Sequence, residues 1–181
     1  MITASIVVYH TAAHELLRVI NCAVRSAIEI LYIIDNSSND SLRELKDVSE
    51  KIVYIHSENL GYGSGHNIGI RKAVEKGATY HAVLNPDIYW NDSVIEALSH
   101  FMDLNSDCGL VMPRILYPDG SNVYTKPACK DCFARFYCSG GCAANGYHAH
   151  KDIRSNYEIG CELQRKRVEC AIMIKAALAE D

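Results

Sequence analysis

The chain has no basic run and no Lys/Arg stripe. Its 18 Lys and Arg stand against 22 Asp and Glu, leaving a net charge of -4 and a pI near 6.0. That removes the electrostatic footprint of a nucleic-acid partner. No apolar stretch approaches the ~20 residues that a membrane span needs, so no transmembrane segment is expected. The N-terminal MITASIVVYH has no charged stretch followed by an apolar one, so no signal peptide is expected and the predicted location is cytoplasmic. Two nucleotide-binding signatures are also missing. No Gly-Lys-Ser/Thr occurs, which removes the Walker A loop. Counted from Gly63 and Gly65, the third glycine of G-x-G-x-x-G should fall at Ile68, and Gly69 comes one place late.

What is present suffices for a core: 181 residues, 49% hydrophobic. That length allows one domain, or one with a small appendage. The composition changes character near residue 121. Cys22 and Cys108 stand alone in apolar surroundings and read as core residues. The other six of eight cysteines lie between Cys129 and Cys170. In a cytosolic chain such a cluster suggests metal or cofactor ligation more than disulfides.

Before residue 121, short apolar runs alternate with helical periodicity. Strands are expected at Ser5–Tyr9, Ile28–Ile34, Ile52–Ile55, Tyr80–Leu84 and Gly109–Met112. Helices are expected over Ala12–Ala27, from an Asn39 or Asp40 cap through Leu45, from a glycine-rich loop at 58–69 through Lys76, and after an Asp92 or Ser93 cap. Gly77 is placed to end the third of these. Tyr117-Pro118-Asp119-Gly120 reads as a turn. Strands that are apolar on both faces predict a mostly parallel sheet, covered by helices on both faces.

The organising stretch is Tyr80–Trp90. Its strand stops at Asn85-Pro86-Asp87, because Pro86 cannot continue a ladder. Ligands of open α/β sheets bind beyond the carboxyl ends of the strands. Asp87 there suits a hard cation that can hold phosphates, or it simply caps the turn. Tyr9-His10 and Asp35-Asn36 occupy two other strand ends. Glycines 61, 63, 65 and 69 mark a loop where backbone can approach a ligand closely.

The ordered words SIVVYH, IIDNSSND, ENLGYGSGHNIGI, LNPD and GLVMPRILYPDGS resemble the nucleotide-binding half of a family 2 glycosyltransferase of rhamnosyltransferase type. The likeness covers roughly residues 3–120 and implies a glycosyltransferase A-type fold. It implies that Tyr9 and Asp35 contact the base and ribose of a nucleotide-diphosphate sugar, and that Asn59, Gly61 and Asn67 line the donor pocket. Asn85-Pro86-Asp87 would replace the family's Asp-x-Asp, with Asp87 binding Mg²⁺ or Mn²⁺ on the diphosphate. A general base for a glycan acceptor belongs to the family's second half. No matching segment follows Gly120; Asp152, Glu158 and Glu162 stand in a different context.

After residue 128 the pattern is Cys129-x2-Cys132-x5-Cys138-x3-Cys142, then Cys161 and Cys170. Such thiols suit zinc or an iron–sulfur cluster. Residues 162–179 read as a terminal helix, and His148 and His150 as surface residues. FARFYCSGGCAAN and YEIGCELQRKRVECA resemble the C-terminal part of a SPASM domain of radical SAM peptide maturases. That likeness implies that Cys129, Cys132, Cys138 and Cys161 hold a [4Fe–4S] cluster, that Cys142 serves an incomplete second cluster, and that a cysteine-rich peptide docks. The radical SAM Cys-x3-Cys-x2-Cys is absent, and zinc stays open. The expectation is a fusion: a truncated transferase-like domain over 1–120, a junction at 121–128 and a cysteine-rich segment over 129–181. A folded remnant with neither activity is a third reading.

Overall fold

In the computed structural model, residues 1–116, 120, 122, 125–138 and 140–179 are described. The expected turn residues Tyr117, Pro118 and Asp119 lie outside them, as do Ser121, Val123 and Tyr124 of the expected junction and Ser139 beside Cys138. The chain forms two compact units, Met1–Pro113 and Arg114–Asp181.

The first unit carries β1 (Ile2–Val8), α1 (Ala13–Arg25), β2 (Ile30–Asp35), β3 (Ile52–His56), α2 (Tyr62–Glu75), β4 (Tyr80–Leu84) and α3 (Val94–Leu104). All described strand pairs are parallel, in the order β3-β2-β1-β4. Alternate side chains of a strand face opposite ways, and both faces of β1 are covered. Ala4, Ile6 and Val8 pack with Leu16, Val19, Ile20 and Ala23 of α1. Val7 packs with Tyr32 and Ile34 on the other face, beneath α2. The main core is therefore the α1 side; β1 and β2 are buried on both faces, while Val53 of β3 and Val83 of β4 are exposed on the α2 face.

Two glycines let α2 lie close to β1. A Cβ on Gly65 would fall 2.8 Å from Val7 Cγ2, and one on Gly69 would fall 2.6 Å from Ser5 Cβ. Both glycines lie within α2, not in a loop, and serve helix–sheet packing. Gly77 ends α2 as expected, at φ +70°. Its amide bonds to the Val74 carbonyl at 3.0 Å and the Ala78 amide to the Ala73 carbonyl at 2.9 Å, the two bonds of a glycine C-terminal stop.

The expected fifth strand is corrected. Residues 109–112 form no strand, and Leu110 is 88% exposed, so this apolar run joins neither edge of the sheet. The expected helix through Leu45 is a 3-10 helix, Arg43–Val48, and neither Asn39 nor Asp40 caps it by side chain. Asp40 pairs with Arg43 at 2.7 Å. Ser93 takes the N-cap position of α3 without a side-chain bond, and Asp92 pairs with Arg25 at 3.4 Å.

The second unit contains α4 (Pro127–Lys130), α5 (Arg135–Cys138), α6 (Ala143–His150) and α7 (Glu158–Ala177). The terminal helix thus starts earlier than expected. Ile159, Leu163, Ile172, Met173 and Ile174 on α7 are all exposed.

Candidate functional site

The sheet order creates a switch point. Chain order runs outward from β1 to β2 and β3, then returns to place β4 on the other side of β1. Helices α1 and α2 accordingly cover opposite faces. At such a point the loops leaving two neighbouring strands diverge, and a crevice opens beyond their carboxyl ends. Here those loops begin with Tyr9-His10 after β1 and Asn85-Pro86-Asp87 after β4.

On the β4 side, three side chains gather. The Tyr62 hydroxyl, from the first turn of α2, donates to Asn85 Oδ1 at 2.5 Å. Burial raises the Tyr62 hydroxyl above its ordinary range, and the negative charge of Asp87 adds to that. Asp87 itself is exposed, and among the described residues it has no ion-pair or hydrogen-bond partner. The loop is fastened to α1 from behind: the Arg18 guanidinium lies 3.3 Å from the Tyr89 ring centre, and the Cys22 thiol donates to the Trp90 carbonyl at 3.5 Å.

On the β2 side, Asp35 is fully buried. The Ser37 amide donates to its Oδ1 at 2.9 Å and the Tyr54 hydroxyl to its Oδ2 at 2.7 Å. Asp35 thus supports the loop from beneath, with both oxygens engaged within the chain. Asn36 ties the neighbouring strand ends: its amide donates to the Val8 carbonyl at 2.9 Å, and its Oδ1 accepts from Ser57 at 2.9 Å. The His10 amide donates to Ser37 Oγ at 2.8 Å, with His10 at φ +51°. Tyr9 is 56% exposed and packs edge-on against His10, ring centres 4.3 Å apart.

Asn59 builds a turn: its Oδ1 accepts from the Gly61 amide at 3.1 Å. Gly61, at φ +92°, then directs the chain into α2, a conformation that disfavours any side chain. Asn67 lines a cleft of about 430 Å³ between the loop after β3 and α2, with Ser57, Glu58, Ser64 and Arg71. The structure therefore groups Asn85 with Asp87, and Asp35 with the loop that follows it, while Asn67 stands in the neighbouring cleft.

Sequence reasoning missed the partners Tyr54, Tyr62, Ser37 and Ser57. It also missed a buried polar chain under α2. His81 Nδ1 lies 2.8 Å from Thr3 Oγ1, and His81 Nε2 lies 2.8 Å from Ser5 Oγ. Ser5 Oγ also lies 2.7 Å from His66 Nδ1. The directions follow if Thr3 donates to the Tyr80 carbonyl at 3.5 Å. Then His81 Nδ1–H donates to Thr3, Ser5 donates to His81 Nε2, and His66 Nδ1–H donates to Ser5. Each ring carries one proton, and His66 Nε2 is left as a buried acceptor with no hydrogen-bond partner among the described residues. Burial lowers His81 to about 4, with His66 adding to the shift, and burial lowers His66 as well. Alternating Ser and Thr in β1 was the available signal.

Among the described residues, no three His, Cys, Asp or Glu side chains form a ready metal-binding group. Of the second-unit carboxylates, Asp152 is held below the usual range chiefly by the Arg154 backbone amide, and Glu158 by its own backbone amide and then by His150. Both are thereby poor proton acceptors near neutral pH. His150 is exposed and pairs with Glu158 at 3.0 Å. In the same unit Cys129, Cys132, Cys138 and Cys161 line one cavity, whereas Cys142 and Cys170 are exposed and do not.

The Glycosyl transferase family 2 model matches residues 5–163. The chain is 33% identical over 104 residues to the low-salt glycan biosynthesis hexosyltransferase Agl10 of Haloferax volcanii, across 56% of this chain and 33% of that protein. It is 31% identical over 98 residues to the dTDP-rhamnosyl transferase RfbF of Shigella flexneri, across 54% of this chain and 32% of that one. The matches thus span about a third of the length of these two relatives. The crystal structure of S. aureus TarS 1-349 is 14% identical, with a TM-score of 0.46, over 68% of this chain and 44% of that one. The family match runs across the expected junction at 121–128 and over most of the cysteine-rich segment, so the fusion, SPASM and radical SAM readings gain no support from it. With a parallel sheet between helices and a family match over most of its length, the chain belongs to glycosyl transferase family 2 and has that family's glycosyltransferase A-type α/β fold.

Proposed function

We propose that the first unit binds a nucleotide-diphosphate sugar at the β1/β4 switch point, and that this site serves transfer of its glycosyl group to a polysaccharide-type glycan acceptor. The observation that carries the reading is the exposed Asp87 carboxylate beside Tyr62 and Asn85, at the carboxyl edge of β4. Mg²⁺ in phosphate sites is commonly held by one or two carboxylates together with substrate phosphates. An unpaired carboxylate fits that donor set without a third protein ligand. Mg²⁺ or Mn²⁺ at Asp87 would supply positive charge where the diphosphate leaves.

The chain's own residues then have defined tasks. Asn85 and Tyr62 fix the loop that carries Asp87. Asp35, Asn36 and Ser37 hold the β1 and β2 ends in register, so Tyr9 stands at the rim with a free ring face for a base. Asn59 and Gly61 set the start of α2, whose first-turn amides suit an anionic group.

Calorimetric titration of the full chain with dTDP-rhamnose and with nucleoside-diphosphate hexoses tests this, with and without Mn²⁺. Saturable heat that requires Mn²⁺ is expected. No heat at millimolar donor overturns the reading.

A further inference from the structure

Helix α2 and strand β4 meet through two polar ties. Val83, which β4 presents on the α2 face between those ties, is half exposed, so no apolar seam closes this side. One tie joins the Tyr62 hydroxyl to Asn85 Oδ1 at 2.5 Å. The other starts at His66, one turn further along α2. It runs from His66 Nδ1 to Ser5 Oγ at 2.7 Å and on to His81 Nε2 at 2.8 Å, four residues before Asn85. The two ties touch on α2, where the Tyr62 and His66 rings pack edge-on with centres 4.4 Å apart. His66 is buried, so its ring fills the space beside Tyr62 and leaves that ring little freedom to turn.

We propose that His66 is a positioning residue for the Asp87 loop, acting through the Tyr62 ring on Asn85. Its effect on binding rests on the donor site proposed above; its effect on the loop does not. Neutral His66 donates from Nδ1 to Ser5, which leaves Nε2 as the atom that takes a further proton. Among the described residues no acceptor meets a proton there. A buried cation without a partner is costly, so the protonated ring turns toward water and Tyr62 loses its support. Tyr62 then holds Asn85 less firmly, and Asp87 two residues on is freed with it. The groups around His66 do not offset that charge. His81 faces it from β4 and is itself a base, and β1 brings the Ser5 hydroxyl. Tyr62 lies between His66 and the Asp87 carboxylate. Across β1, β2 presents Tyr32, whose hydroxyl burial keeps protonated; Lys72 and Glu75 of α2 act on Tyr32.

The test uses the full chain, first without any ligand. NMR follows the His66 and His81 rings and the amides of Asn85, Asp87 and Ile88 as the pH falls from neutral until His66 has taken up its proton. The three amides should shift along the His66 curve. In His66→Asn, which keeps an N–H for Ser5 but cannot titrate, that component should vanish while the His81 curve remains. In Tyr62→Phe the amides should no longer follow His66. Calorimetry with dTDP-rhamnose and Mn²⁺ at neutral pH is the second arm. His66→Leu should weaken the parent's affinity by about tenfold, the scale of a lost supporting contact, and His66→Asn should recover most of that loss. Amides that ignore the His66 titration overturn the proposal, and the parent chain alone can show this. Donor affinity unchanged in a folded His66→Leu chain overturns it as well, and leaves the donor site standing. Amides that follow His66 in a parent that gives no donor heat support the tie and overturn the donor reading instead.

Discussion

The Tyr54 hydroxyl on β3 donates a 2.7 Å hydrogen bond to Oδ2 of Asp35, the last residue of β2. Burial and this bond both raise the Tyr54 hydroxyl above its ordinary range, so it keeps its proton. Tyr54→Phe leaves a fully buried carboxylate oxygen unsatisfied. The expected cost is about 1–3 kcal/mol, read as a lower urea midpoint with an unchanged slope.

Gly63 and Gly69 share one helix and should respond oppositely to alanine. At Gly69 the new Cβ meets Ser5 Cβ at 2.6 Å and Ser5 Oγ at 3.1 Å, and a Cβ cannot move away without its backbone. Gly69→Ala should destabilise by about 1–3 kcal/mol. At Gly63 nothing lies within 4 Å. Gly63→Ala should be neutral or stabilise by roughly 0.5 kcal/mol, through helix propensity. Thermal unfolding of the two variants makes the comparison.

Asp87→Ala should separate binding from folding. The side chain is exposed, so the unfolding midpoint should stay within about 0.5 kcal/mol of the parent. Mn²⁺-dependent donor affinity should fall by about tenfold or more, on the scale of a lost charge-assisted contact. Calorimetry on a variant with parent-like stability decides it; unchanged affinity removes Asp87 from the site.

His81 makes stability depend on pH. Its folded pKa is about 4, below the ordinary 6.5, so the unfolded chain binds the proton first. Stability is therefore complete above about pH 6.5 and is lost as pH falls toward 4. His66 shifts in the same direction and adds to the slope. The loss should reach on the order of 2 kcal/mol, allowing for partial exposure of His81. Urea unfolding at pH 7 and pH 5 measures it. His81→Gln keeps one hydrogen-bonding arm and removes the titration, so its curve should be flatter over that range.

The sequence showed the first unit through local patterns whose physics is short-ranged. An apolar run ending at Asn85-Pro86-Asp87 dictates a buried strand and its stop, because proline has no amide to give. Tyr80–Leu84 is a strand over the expected bounds. Gly77 stops α2 for the same local reason. The apolar run at Gly109–Met112 misled, because a strand exists only where it pairs with another, and pairing is not encoded in the run itself. Spacing alone showed six clustered cysteines; that Cys129, Cys132, Cys138 and Cys161 line one cavity depends on the first turn of α7, some twenty residues on.

By itself the sequence determined four strand cores, the Gly77 stop and the identity of the chemistry-bearing residues, since each depends on neighbours a few positions away. Only the tertiary structure decided which of those ends are neighbours. Placing β4 on the opposite side of β1 from β2 opens the switch point, and the Cβ-free contacts of Gly65 and Gly69 bring α2 close enough for Tyr62 to reach Asn85. Those outcomes are set by packing between residues far apart in the chain, where no local pattern carries the information.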